Sequence, residues 1–378
     1  MRIAASPRLF DPVTIGSLSL ANRTVMAPMT RCFSPDGVVG PDVAAYYRRR
    51  AEGGVGLIVT EGTWIDHPSA SNEDSAPRFH GEDALNGWRH VVDEVHAAGG
   101  KIVPQLWHVG MTRRAQIDNL YDAIEEDMTL KSSPSGYVGP QEQVAQGSSE
   151  ADIAALIDAY ARGAASAQAL GFDGVELHGA HGYLIDQFFW HGTNRRKDEW
   201  GGAALADRGR FAVEVVRACR RAVGPDFPIL FRFSQWKQQD YTAKLATTPG
   251  ELATLLEPLA DAGVDIFHAS QRRFWEPEFA DSPLNLAGWA RKLTGRPSIT
   301  VGSLGIEKEM LDTMFSGSQA APSLGRLESL NIMLERGDFD LVAIGRALLV
   351  DPNWVDKVRR SAHDELQPYS PASLATLS

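Results

Sequence analysis

Cysteine is almost absent from this chain. Its 378 residues include only Cys32 and Cys219. Two are too few for a thiolate zinc site or a cysteine-ligated iron–sulfur cluster, and they fit a reducing compartment. No run approaches the roughly 18 uninterrupted apolar residues of a membrane span. The stretch Met1-Arg2-Ile3-Ala4-Ala5-Ser6-Pro7 carries no apolar core before its proline, so a secretory leader is not expected and the cytoplasm is the expected location. Positive charge is in deficit, with 37 Lys and Arg against 48 Asp and Glu and a formal net charge of -11. That balance counts against nucleic acid or an anionic membrane as a partner. No low-complexity stretch divides the chain, so a single domain over residues 1–378 is expected.

What is present is an ordinary globular composition, 43% hydrophobic and 22% charged, arranged as alternating short apolar runs and longer helical patterns. The runs expected as strands are Thr24 to Met29, Gly56 to Thr60, Lys101 to Leu106, Gly174 to Leu177, Pro228 to Phe233, Val264 to His268, Ser298 to Val301 and Leu341 to Ile344. Continuous rather than alternating apolar character indicates strands covered on both faces, hence a parallel sheet. Between them, Trp88, Val91, Val92 and Val95 recur at i, i+3, i+4 and i+7. The same spacing holds for Ile153, Leu156, Ile157 and Tyr160, and for Leu252, Leu255, Leu256 and Leu259. Thr248-Pro249-Gly250-Glu251 and Asp351-Pro352 supply helix starts, and Gly99-Gly100, Gly171 and Gly263 supply stops.

Eight such units favour a closed (β/α)8 barrel over an open doubly wound sheet, which would need a G-x-G-x-x-G after its first strand. The expected layout is a β-hairpin over about 8–23, turning at Gly16-Ser17, then a barrel over about 24–361 and a tail over about 362–378 that is frayed after Asp364. Long connections at about 109–149 and 234–247 are expected to cover one barrel face.

In a barrel, chemistry gathers at the C-terminal ends of the strands. The polar residues there are Thr30, Glu61, Gln105, His178, Arg232, Ser270, Ser303 and Arg346. The loops after the seventh and eighth strands offer Gly302-Ser303 and Gly345-Arg346. Close-approaching backbone N–H groups and a guanidinium fork are the donors a phosphate monoester needs. Arg232, inside an apolar strand, calls for an accepting partner. His178 and His181 form an H-x-x-H, but flanking glycines argue against the helical H-E-x-x-H pair and no third ligand is evident, so no metal is expected. With Tyr183 they give three groups able to hold or move a proton after one strand. Cys219 belongs to an apolar stripe, and Cys32 is within reach of the site.

Val25-Met26-Ala27-Pro28-Met29-Thr30-Arg31, Thr60-Glu61-Gly62, Gln105-Leu106-Trp107-His108, His178-Gly179-Ala180-His181-Gly182-Tyr183-Leu184, Asn194 to Gly202 with Arg208-Gly209-Arg210-Phe211, and Ala343-Ile344-Gly345-Arg346 resemble the successive motifs of the Old Yellow Enzyme family of FMN-dependent oxidoreductases. The resemblance spans nearly the whole chain. It implies non-covalent FMN held at its ring by Pro28, Met29, Thr30, Gly62, Gln105 and Arg232 and at its phosphate by Gly302, Ser303, Gly345 and Arg346. It further implies that His178 and His181 bind a substrate oxygen, that Tyr183 donates a proton, and that Trp107 walls the pocket. The implied reaction is ping-pong: NADH or NADPH reduces the flavin and leaves, and an electron-poor alkene then takes the hydride in an ene-reductase step. The chain departs from the family pattern at Val109-Gly110-Met111, Phe189 to Thr193, including Trp190, and Ser270 to Pro277. Two competing readings are a barrel lyase or aldolase acting on a phosphorylated substrate, and a flavin-binding protein without turnover.

Overall fold

Eight strands pair in parallel, each with the next in the chain, and the eighth returns to the first. They are β1 (Thr24–Met26), β2 (Leu57–Trp64), β3 (Ile102–Trp107), β4 (Val175–His181), β5 (Ile229–Lys237), β6 (Ile266–Ser270), β7 (Ser298–Val301) and β8 (Leu341–Ile344). Closure runs through Val342 against Thr24 and Ile344 against Met26. The computed structural model describes residues 7–112, 127–308 and 319–378. The expected barrel is therefore present, with β7 and β8 at the expected bounds. Part of the expected 109–149 insertion, residues 113–126, lies outside the described residues, as do Met1 to Ser6 of the expected non-secretory start. No helix among the described residues is long and apolar enough to cross a membrane.

The outer layer follows from the apolar stripes. Helices α1 (Pro41–Glu52), α2 (Glu82–Ala97), α3 (Glu150–Leu170), α4 (Arg210–Val223) and α5 (Pro249–Ala262) turn those stripes onto the sheet. Leu252, Leu255, Leu256 and Leu259 are all buried, each contributing about 1.5–3 kcal/mol on leaving water. Thr248 caps α5 by accepting from the Glu251 N–H, with Pro249 in the first turn, and Gly171 closes α3 in the left-handed conformation. Asp351 does not start a helix as the Asp-Pro pair suggested. It ends the short helix Arg346–Val350, and its carboxylate takes Lys357 at 2.9 Å and the Asn353 N–H at 3.2 Å.

The hairpin pairs Val13–Ile15 with Leu18–Leu20. Its Ile15, Leu18 and Leu20 pack with Leu57, Val103, Leu230, Ile266, Ile299 and Leu341 in one cluster inside the barrel. One end of the barrel is thus plugged with apolar side chains, and polar residues collect at the other.

Several expectations fail at that other end, where β2 already runs past Thr60 to Trp64. Strand β4 continues past Leu177 through His178 to His181, and β5 runs to Lys237, consuming the start of the expected 234–247 loop. The tail is not frayed. Arg31 donates to the carbonyls of Ser373 (3.1 Å), Leu374 (3.2 Å) and Thr376 (2.7 Å), Arg49 to that of Leu377 (2.6 Å), and Arg50 to that of Ser378. Three guanidiniums satisfy backbone acceptors that composition alone left without partners.

Candidate active site

Strand β4 has two residues per turn of the pleat, so Glu176 and His178 share one face. Against β5 the register slips between Gly179 and His181, and His181 sits at φ 66. A bulge that ends in a left-handed residue bends the strand and re-aims its side chain. Gly179 is needed here because a Cβ would lie 2.4 Å from the Phe231 ring.

The result is a cluster of rings. His178 stands 5.1 Å from His181 and 5.0 Å from Tyr183, nearly perpendicular to both, and Tyr183 meets Trp107 edge-on at 5.2 Å. All four expected pocket residues are brought together. Cys32 packs beside Trp107 and Tyr183, while Cys219 is core. The Ala180 N–H donates to His178 Nδ1 at 3.3 Å, which leaves the proton of a neutral ring on Nε2. Burial, then the Arg232 charge, holds both imidazoles well below the usual histidine range. Burial pushes the Tyr183 phenol up. The site therefore presents neutral imidazoles and a protonated phenol.

Around this cluster lie Ser270, one of the expected strand-end residues, and four that the sequence did not mark out, Trp236, Tyr241, Lys237 and Asp186. The Ser270 hydroxyl is 2.7 Å from His181 Nε2. Trp236 stacks on the His181 ring at 4.5 Å, and Tyr241 stacks on Trp236 at 5.4 Å. Lys237 and Asp186, both fully buried, pair at 2.6 Å, and the second Asp186 oxygen accepts the Gly182 N–H at 2.7 Å. Strand β5 thereby holds the segment that carries His181 and Tyr183 through Trp236 and Lys237.

The residues expected to hold the cofactor all lie in or just after the barrel strands. Gln105 and Arg232 are buried, Pro28 and Met29 half-buried, and Thr30 exposed. Gly62 lies against Trp107, whose ring a Cβ would meet at 3.0 Å. Strands β7 and β8 are neighbours, which sets Gly302-Ser303 beside Gly345-Arg346. Ser303 has φ 52 and its hydroxyl donates to the Arg272 carbonyl at 2.9 Å, while Arg346 donates to the Lys308 carbonyl at 2.9 Å. The motif around Asn194 serves structure, with its amide donating to the Phe188 and Trp200 carbonyls at 2.8 Å each.

Glu61, at the mouth end of β2, holds the loop after β1. Its Oε2 accepts the N–H groups of Arg31 (2.7 Å) and Cys32 (3.1 Å). Burial pushes its carboxyl up to about 7 despite those donors. A carboxyl whose folded pKa exceeds its unfolded value of 4.5 contributes stability below that value and loses it as pH rises through about 7. Glu61→Gln is accordingly expected to flatten the stability profile between pH 4.5 and 7. Parallel profiles for the two proteins in chemical denaturation would refute this.

A flavin would suit this mouth. The buried Arg232 Nε–H has no hydrogen-bond partner, an orphan that an accepting ring edge would satisfy, and the buried Gln105 amide lies on β3, across β4 from it.

Residues 8–365 match the family model described as the NADH:flavin oxidoreductase / NADH oxidase family. The chain is 32% identical over 370 residues to the NADH oxidase of Thermoanaerobacter brockii, covering 96% of this chain but 52% of that enzyme, so it spans about half of it. It is 31% identical to 12-oxophytodienoate reductase 7 of Oryza sativa subsp. japonica (94% and 88% covered) and 34% identical to the chanoclavine-I aldehyde reductase of Penicillium roqueforti (98% and 92%). Among solved structures it resembles morphinone reductase in complex with tetrahydroNAD, with a TM-score of 0.76, 27% identity, and 97% and 94% of the two chains covered.

Proposed function

The chain belongs to the NADH:flavin oxidoreductase / NADH oxidase family, that of the Old Yellow Enzyme, whose members work with FMN and a nicotinamide, and we propose that it reduces the activated C=C bond of α,β-unsaturated carbonyl or nitro compounds. The observation that carries this reading is the cluster of His178, His181 and Tyr183 about the barrel mouth, with both imidazoles neutral and the phenol protonated. Its 12-oxophytodienoate reductase and morphinone reductase likenesses agree with it.

Bound FMN would supply hydride exchange, with NAD(P)H as the donor and the alkene as the acceptor. Pro28, Met29, Thr30, Gly62 and Gln105 are the proposed ring contacts, and Arg232 is the proposed cation at the N1/O2 edge. Gly302, Ser303, Gly345 and Arg346 are the proposed phosphate donors. His178 and His181 would anchor the substrate oxygen, and a neutral N–H aimed where charge develops stabilises it without itself losing a proton. Tyr183, kept protonated by burial, would deliver its hydroxyl proton to the α-carbon. Trp107 would wall the pocket. Hairpin, barrel and tail would form one FMN-binding domain, and the two substrates would occupy the one open mouth in turn, as a ping-pong scheme requires.

Purified protein is expected to be yellow, to release FMN on denaturation and to bleach anaerobically with NADH or NADPH. Addition of 2-cyclohexenone should restore the colour. Colourless protein that takes up no FMN would overturn the reading, and bleached protein that the enone leaves unchanged would overturn the proposed substrate class.

A further inference from the structure

Below the ring cluster, buried in the barrel, lies a chain of polar side chains of which the proposed chemistry uses only Gln105. Gln105 Nε2 donates to Glu176 Oε1 at 2.7 Å, and Glu176 Oε2 meets His268 Nδ1 at 2.7 Å. Glu176 and His268 are both 0% exposed. The three residues come from β3, β4 and β6, with Gln105 opposite Glu176 and Arg232 opposite both His178 and His268 in register. A carboxylate here is costly unless its oxygens are occupied. Both are, one by an amide and one by an imidazole, with the Arg232 charge close enough to favour the ionised form.

The consequence falls on Gln105. A free glutamine amide can turn over, exchanging its donor and acceptor ends. With Glu176 accepting only, the nitrogen of Gln105 is tied toward the barrel interior and its oxygen is left for the mouth. We propose that Glu176, itself held by His268, is a positioning residue that fixes the Gln105 carboxamide in the one orientation that matches the pyrimidine edge of FMN. The proposal rests on the reading of Gln105 as a flavin contact. It gives a buried carboxylate and histidine a role two layers away from the substrate. Their strand neighbours Leu177 and Phe267 are ordinary core.

The test is a double-mutant cycle on the holoenzyme with Gln105→Ala, Glu176→Gln and the pair. It is read by FMN dissociation, followed through the fluorescence of released flavin, and by the visible circular dichroism of bound flavin. Glu176→Gln is nearly isosteric but can turn either its oxygen or its N–H toward Gln105, so the acceptor-only partner that fixes the Gln105 carboxamide is lost. It is expected to weaken FMN binding by about tenfold and to alter the flavin dichroism, yet to add less than about twofold in the Gln105→Ala background, because residues acting through one another are not additive. An equal loss in both backgrounds, or no loss in the native one, overturns the proposal alone. If Gln105→Ala changes neither readout, the reading of Gln105 as a flavin contact falls and the proposal falls with it. Should Glu176→Gln not fold, His268→Leu takes its place in the same cycle with the same criteria. His268→Asn, which keeps a donor near the Nδ1 position, is expected to restore native FMN binding, and failure of that rescue counts against the proposal.

Discussion

Tyr183→Phe is expected to slow alkene reduction by about a hundredfold or more while sparing reduction of the flavin by NAD(P)H. A positioned general acid contributes about 10²–10⁴-fold, and Phe removes the hydroxyl while keeping the ring contacts with Trp107 and His178. Because burial raises the phenol pKa, the native enzyme should hold its oxidative half-reaction through neutral pH and lose it only on the alkaline side. Stopped-flow measurement of the two half-reactions separates the effects. An equal loss in both would remove Tyr183 from its proposed role.

The second large effect is on stability. Lys237→Ala is expected to cost about 3–5 kcal/mol, because it strands a buried carboxylate without its cation. Burial pushes the Asp186 carboxyl up, and Lys237, followed by the Gly182 N–H, opposes that. The contrast is Arg48, whose pairs with Glu52 and Glu94 lie at the surface and whose loss is expected to leave the unfolding midpoint almost unchanged. Denaturant unfolding of both variants checks this, and a Lys237→Ala cost as small as that of Arg48→Ala would mean the pair is solvated. The same substitution should also impair catalysis, since Asp186 holds the Gly182 N–H directly before Tyr183.

The architecture was legible because buried parallel strands and amphipathic helices write their periods directly into the chain. Strand β8 could be bounded to the residue. The ends of β4 and β5 could not, because strands that enter a site stop being apolar before they stop being strands. His178, Gly179 and His181 look like loop residues, yet they continue the ladder. The mouth residues were legible by type and position. Glu176 and His268 were not, because one polar residue amid Val175, Leu177 and Phe267 gains meaning only when three strands bring its partners within 2.7 Å. The Trp236 stack on His181 escaped for a similar reason, since nothing local to Trp236 says what faces it.

The pairing of β8 with β1 also sets a schedule for synthesis. At roughly 5–20 residues per second, Thr24 to Met26 must wait about 15–65 s on the ribosome before their partner near Leu341 is made. Until then the barrel is an open sheet with an unpaired edge, the kind of surface on which chains associate wrongly. That the waiting edge is three residues long keeps the hazard small. A longer first strand would give nascent copies more backbone on which to join.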